Sequence, residues 1–204
     1  MSEPNVIPLG PKQAAAAAQL HRQGIDTGFL SSLGQSFLRQ LYLAVPKCPA
    51  GFGYVWVEPG GQVLGFIACA ESTGRLYKQA LLRRGFQMAW PVGRFLFRPA
   101  TLKRMIQTLR YPSQVGGELP AAEVLSIAVS SDARGKGVGK ALMAAALKEF
   151  ARRSVRQCKV AVGADNTNAN EFYKRCGFKL ALTRQHHGRP MNVYVIGTHE
   201  QGHD

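Results

Sequence analysis

The spacing of apolar side chains divides the chain into a helical opening, a pair of strands and a regular second half. Gln13 to Gln23 is rich in Ala and stops before Gly24, which predicts a helix with a glycine at its C-terminal end. From Gly28 to Tyr42 apolar side chains recur at positions 29, 30, 33, 37, 38 and 41, a helical period. Gly53 to Val57 and Gln62 to Ala70 read as strands, and Glu58-Pro59-Gly60-Gly61 between them is a hairpin signal. Later, Glu123 to Val129 is a strand bounded by Pro120 and by Ser130-Ser131-Asp132. Ala141 to Arg153 is a helix rich in Ala, Leu and Lys, Lys159 to Gly163 a short strand, and Asn168 to Arg175 a helix stopped by Gly177. Phe178 to Arg184 and Met191 to Ile196 form a last hairpin around His186-His187-Gly188-Arg189-Pro190. No repeat is visible. This order predicts an α/β (α+β) fold, a mixed sheet flanked by helices.

One stretch departs from that regularity. Ser72 to Gly117 holds nine Lys or Arg (75, 78, 83, 84, 94, 98, 103, 104 and 110) and no Asp or Glu. Helical patches are readable at Leu76 to Arg84 and Thr101 to Leu109, with Pro91 and Pro99 breaking the middle. The length, 204 residues, suits one domain over 1–204, and 46% apolar against 19% charged residues suits a packed core. No run approaches the roughly 18 apolar residues of a membrane span. Met1 to Pro11 lacks the features of a secretory signal, so the expected location is cytoplasmic. Cys48, Cys69, Cys158 and Cys176 have no CxxC spacing, and neither a metal site nor a disulfide framework is expected. The net charge of +14 favours anionic partners without choosing among them.

The most specific chemistry lies at Arg134-Gly135-Lys136-Gly137-Val138-Gly139, between the strand ending at Val129 and a helix starting near Lys140. Glycines allow positive φ and close backbone approach to a ligand. The helix that follows aims unpaired N–H groups and its dipole at the same place, which suits a pyrophosphate. No Gly-Lys-Ser/Thr of a Walker loop is present. The G-x-G-x-G spacing lacks the strand–helix–strand opening and acidic ribose ligand of a dinucleotide fingerprint.

Together, Leu125 to Val129 followed by Arg134-x-x-Gly137-x-Gly139-x-x-Leu142 resembles the acetyl-CoA signature of the GNAT acetyltransferase superfamily. Asn166-x-x-Ala169-x-x-Phe172-Tyr173-x-x-x-Gly177-Phe178 resembles that family's second block, in the right order and at the usual separation. The resemblance covers Glu123 to Phe178, within a 120–178 acetyl-CoA-binding core. It implies a mostly antiparallel sheet of about six or seven strands, splayed between the fourth and fifth. It also implies that acetyl-CoA is the co-substrate, with Ile127, Ala128 and Val129 along the pantetheine. Arg134, Gly135, Lys136, Gly137, Val138, Gly139 and Lys140 would hold the pyrophosphate, and Asn166 would brace the turn or touch the cofactor.

Acetyl transfer to an amine needs an unprotonated nucleophile, a stabilised oxyanion and a proton for the thiolate. By resemblance the proton donor, also against the cofactor, is Tyr173, whose phenol stays protonated at neutral pH. The alternative is that Tyr173 only packs. Glu123 is the nearest acidic candidate for the base, set against a solvated strand-end carboxylate or a water chain in its place; Glu58 and Glu71 are remoter candidates. Cys176, one helical turn from Tyr173, lacks the His or acidic partner of a covalent scheme. His186 and His187 lie in the hairpin loop, where one could reach the acceptor pocket although exposed loop histidines are usually bystanders, and His21 among apolar neighbours reads as a satisfied helix residue.

Members of that family usually connect the third and fourth strands briefly, whereas 72–117 forms a basic helical insertion here. It reads as a lid with solvated charges, as a wall for a phosphate-bearing acceptor such as a nucleotide-linked amino sugar, or as a contact with an anionic membrane surface. No nucleic-acid-binding motif is present, so nucleic acid is not expected as a partner. The expectation is an N-acetyltransferase acting on a small-molecule amine. A protein N-terminal or lysine acetyltransferase and a non-catalytic CoA-sensing module are the alternatives, and a homodimer stays open.

Overall fold

A computed structural model describes residues 5–25, 29–76, 78–79, 119–186 and 188–198. In chain order its elements are β1 (Val6–Pro8), α1 (Ala14–Gly24), α2 (Phe29–Ser32), α3 (Gln35–Ala44), β2 (Gly51–Val57) and β3 (Val63–Ala70). After residues outside the described set come β4 (Glu123–Val129), α4 (Val138–Arg152), β5 (Gln157–Gly163), α5 (Thr167–Arg175), β6 (Lys179–His186) and β7 (Arg189–Gly197). The seven strands form one sheet in the order β1-β2-β3-β4-β5-β7-β6, antiparallel throughout except for β4 beside β5.

Each face of the sheet has its own core, because side chains alternate along every strand. Phe66, Ala68 and Ala70 of β3 and Ala128 of β4 meet α1 and α3 on one face. The small side chains of α1 let it lie close: a Cβ on Gly24 would come within 3.1 Å of the Ala128 Cβ. Ile67 and Cys69 of β3, Val124 of β4 and Val160 of β5 face the other way, under Leu142, Met143, Leu147 and Phe150 of α4. Among the described residues no helix is long and apolar enough to cross a membrane.

Several elements differ from the sequence reading. The expected single helix over 28–42 is interrupted: α2 ends at Ser32, and Gly34, at φ 90°, turns the chain before α3. The apolar period survives the break because both pieces pack on the same core. β1 was not anticipated; three residues paired to Tyr54–Trp56 carry too little pattern to stand out. β6 and β7 extend further than expected, with pairing that continues to His186 and Arg189. The register of β3 on β4 slips between Ala68 and Cys69, which leaves Leu125 as an extra residue on β4. Residues 73–76 and 78–79 are helical, which takes in the start of the Leu76–Arg84 patch, and Leu76 is buried in the α1–α3 core; the insertion beyond residue 79, with the Thr101–Leu109 patch, lies outside the described residues.

Candidate active site

β4 ends at Val129, passes through a single 3-10 turn at Ser131–Ala133 and enters the glycine loop. Gly135 (φ 76°) and Gly137 (φ 82°) adopt the left-handed backbone, and a Cβ at either would meet nothing within 4 Å, so the loop is an open cradle. The helix starts earlier than its apolar period suggested. Val138 already lies in α4, with Gly137 as the residue before it. Ala141 N–H is the first to find a helical acceptor, Gly137 O at 3.0 Å. That leaves the N–H groups of Val138, Gly139 and Lys140 without helical acceptors, at the positive end of a 15-residue helix. Arg134, Lys136 and Lys140 are exposed at the same mouth, and Arg134 Nε donates to Val129 O at 3.4 Å.

Two residues of this group play a second part. Val138 buries its side chain in the core, so only its backbone faces the cradle. Gly139 brings α4 against α5: a Cβ there would stand 3.2 Å from the Phe172 ring. The two motif blocks therefore touch.

β4 is paired with β3 along its length, but with β5 only at Glu123 and Lys159, where Lys159 N–H also donates to Ala122 O at 2.9 Å. Beyond that point the two parallel strands separate, and the edge of Leu125–Val129 facing β5 has no strand partner. Ile127, Ala128 and Val129 lie on this open edge, between the closed end of the wedge and the glycine loop.

Glu123 stands at that closed end, and Tyr173 belongs to the core on the α4 face of the sheet. Tyr173 is buried among Phe172, Phe178 and Tyr194, with ring centroids 5.4, 5.7 and 6.3 Å away. Burial raises its hydroxyl well above the ordinary value, with smaller contributions from Cys176 and Cys69. Tyr173 shares the core on the α4 face with Cys69 and Val124, which lie opposite each other across β3 and β4. Glu123 is not the solvated strand-end carboxylate weighed above. It is 7% exposed, and its Oε2 accepts from Thr73 Oγ1 at 2.8 Å. Burial raises its carboxyl despite the opposing pull of Lys159, Thr73 and Arg184. Burial likewise lowers the Lys159 ammonium, which donates to Pro120 O.

Asn166 caps α5, its Oδ1 accepting from Ala169 N–H at 3.1 Å. Glu71 is held by Arg153 at 2.6 Å, so that carboxylate serves an ion pair at the far end of α4. His21 is buried, its Nδ1 2.5 Å from Tyr42 Oη, and burial lowers it to about 4. The four cysteines are free thiols. His187 lies outside the described residues.

Comparison with known proteins agrees with this architecture. The model of the acetyltransferase (GNAT) family matches residues 23–178, most of the chain. This chain belongs to the GNAT acetyltransferase family. It is 34% identical over 145 residues to a mycothiol acetyltransferase of Thermobispora bispora, covering 67% of this chain and 49% of that protein. The matched region spans between 23% and 49% of the length of the curated relatives. Among solved structures, this acetyltransferase superposes on SsHAT with a TM-score of 0.67 at 20% identity, covering 96% and 98% of the two chains. It superposes on NAA60 of Arabidopsis thaliana in complex with acetyl-CoA with a TM-score of 0.59 at 18% identity, covering 94% and 97%. At these identities the structural likeness speaks for the fold. The NAA60 structure holds acetyl-CoA.

Sequence reasoning overlooked Asn170, Asn192 and Tyr194, which surround Tyr173 or its helix, and Thr73 and Lys159 beside Glu123. The first had a usable signal. An asparagine at position 170 falls on the same face of α5 as Asn166 and Tyr173, where an apolar residue would be expected.

Proposed function

We propose that this acetyltransferase moves an acetyl group from acetyl-CoA to the primary amine of a small acceptor, by direct attack in a ternary complex. The observation that carries the reading is the wedge: β4 loses its β5 partner beyond Glu123 and leads straight into the glycine cradle and the free end of α4. Pyrophosphate is held by the N–H groups of the loop and of Val138, Gly139 and Lys140, with Arg134, Lys136 and Lys140 supplying charge. Pantetheine lies along Ile127, Ala128 and Val129, whose free edge offers backbone groups to it. An N–H there holds the thioester oxygen as negative charge develops.

The amine nitrogen attacks the thioester carbonyl, and the carbon–sulfur bond breaks. Glu123 takes the proton that the amine gives up, and Tyr173 gives one to the departing thiolate; solvent restores both groups. Two features support this division. Tyr173 belongs to the core on the α4 face while Glu123, next to Val124 of that core, faces the other way at the closed end of the wedge, so donor and acceptor can approach from opposite sides. Burial also shifts both groups usefully. It keeps the phenol protonated and lifts the carboxyl toward the pH at which a base works well.

The acceptor is a small molecule bearing an anionic group. The relative named mycothiol acetyltransferase supports a small acceptor, and nine cations without one acid over 72–117 support an anionic one, such as a nucleotide-linked amino sugar. A basic protein tail would call for an acidic groove. The test is thiol release from acetyl-CoA against a panel of amines, nucleotide sugars and peptides. Turnover with a small anionic amine, with KM rising with salt, is the expected result. Release with peptides alone would establish a protein acetyltransferase, and cofactor binding without release would leave a CoA-sensing module. Replacing Arg83 and Arg84 by Ala should raise acceptor KM and leave acetyl-CoA affinity unchanged.

A further inference from the structure

Asn170 is one of few polar side chains buried in this structure, at 6% exposure, and its amide is fully used. Its Nδ2 donates to Gly163 O at 2.9 Å and to Asn166 O at 2.7 Å. Its Oδ1 accepts from Asn192 Nδ2 and from Tyr194 Oη, both at 2.8 Å. Asn192 Oδ1 in turn accepts from Thr183 Oγ1 at 2.7 Å. One amide thus joins the end of β5, the cap of α5 and β7, and reaches β6 through Asn192. A side-chain amide has two donors and one oxygen with two lone pairs, so no hydrogen-bonding capacity is left over. A helix of nine residues could be anchored to the sheet by apolar contacts alone. A saturated polar tie sets its rotation and height more narrowly, because a slip strands several buried groups at once.

We infer that Asn170 is a positioning residue for Tyr173. The inference rests on the reading of Tyr173 as the proton donor. Two routes connect them. Tyr173 follows Asn170 by three residues, on the same face of α5, so the tie that orients the helix orients the phenol. Tyr194, held through its hydroxyl by Asn170, also sets its ring beside that of Tyr173 at 6.3 Å. At its other end Tyr173 is secured by Phe178 N–H, which donates to Tyr173 O at 3.1 Å. Asn170 supplies the constraint from the N-terminal side.

The experiment is a pair of double-mutant cycles on the full chain, Asn170→Ser and Tyr194→Phe, each in the native and the Tyr173→Phe background. kcat, acetyl-CoA KM and thermal midpoint are read for every variant. Since a displacement of ~1 Å costs about 100-fold, Tyr194→Phe should lower kcat about 10-fold and Asn170→Ser by more. Acetyl-CoA KM should not move, and both losses should vanish once Tyr173 is Phe. Equal losses in the two backgrounds, or native kcat in a folded Tyr194→Phe protein, overturn the inference. Should Asn170→Ser fail to fold, the Tyr194→Phe cycle decides alone. Tyr173→Phe turning over at the native rate overturns the proton-donor reading, and the inference with it.

Discussion

β4 meets its two neighbours on opposite terms. Along β3 it is zipped from Val129 opposite Gly65 to Glu123 opposite Ala70, interrupted only by the extra residue at Leu125. Along β5 it touches at Glu123 and Lys159 and then opens. α4 repeats the contrast along its own axis. Its N-terminus presents free N–H groups to the glycine loop, whereas its C-terminus is clamped. There Arg153 donates to Glu71 at 2.6 Å, to Glu149 at 2.7 Å and to Pro49 O at 2.8 Å, and lies over the Phe52 ring at 4.7 Å. The candidate site is thus a strand edge and a helix end with hydrogen bonds left unmade, flanked by a paired strand and a clamped helix end. Free backbone groups are costly in a core but suit a ligand that brings its own acceptors.

The contrast can be broken most severely at the open end. Gly137→Glu forces a side chain onto a left-handed backbone and places a carboxylate in the cradle, so acetyl-CoA binding should be lost by calorimetry while the protein stays folded. Affinity equal to the native protein would remove the cradle from the site.

At the narrow end, Tyr173→Phe should lower kcat by about 10²–10⁴-fold, the range of general acid–base catalysis, and leave acetyl-CoA affinity intact because the ring still packs. Glu123→Gln, the smaller disturbance where water can stand in for the base, should lower kcat by about 10²-fold. Its pH profile sharpens the comparison. Burial raises the Glu123 carboxyl, so activity should fall as pH drops through a value above the usual carboxylate range, and the glutamine variant should lose that limb.

The smallest effect belongs to the clamped end. Arg153→Ala should lower stability by about 1–2 kcal/mol, since its partly exposed ion pairs are screened by solvent, without changing acetyl-CoA KM. Glu149 offers a pH test of the same clamp. Hydrogen bonds from Arg152, and then from Arg153, hold its carboxyl at about 2, below its unfolded value. Its contribution is therefore present above the ordinary carboxylate pKa and is lost as pH falls toward 2. Thermal midpoints across that range should converge for the native protein and Glu149→Gln.

Much of the candidate site is legible in the sequence. The glycine loop, the strand before it and the block from Asn166 to Phe178 are contiguous, and their signals depend on φ, on a helix cap and on spacing within a few residues. Glu123 was legible as a residue but not as an environment. Nothing in its neighbours along the chain announces that Thr73 will cover it or that Lys159 will stand opposite. Gly139 was read as a ligand for pyrophosphate, and its packing against Phe172 could not be seen because that partner arrives from a separate helix.

From the residues alone came the resemblance to the family, the mixed sheet flanked by helices, the glycine loop ahead of α4 and the block that carries Tyr173. Each is encoded in a short segment whose backbone preference or chemistry is its own. Where β4 parts from β5, that Leu125 is an extra residue and that Glu123 is buried emerge only once the chain is folded. So does the way Asn170, Asn192 and Tyr194 close around the helix of Tyr173. Those features come from the register between strands and from side chains that meet across segments distant in sequence, where burial and shared hydrogen bonds outweigh local preference.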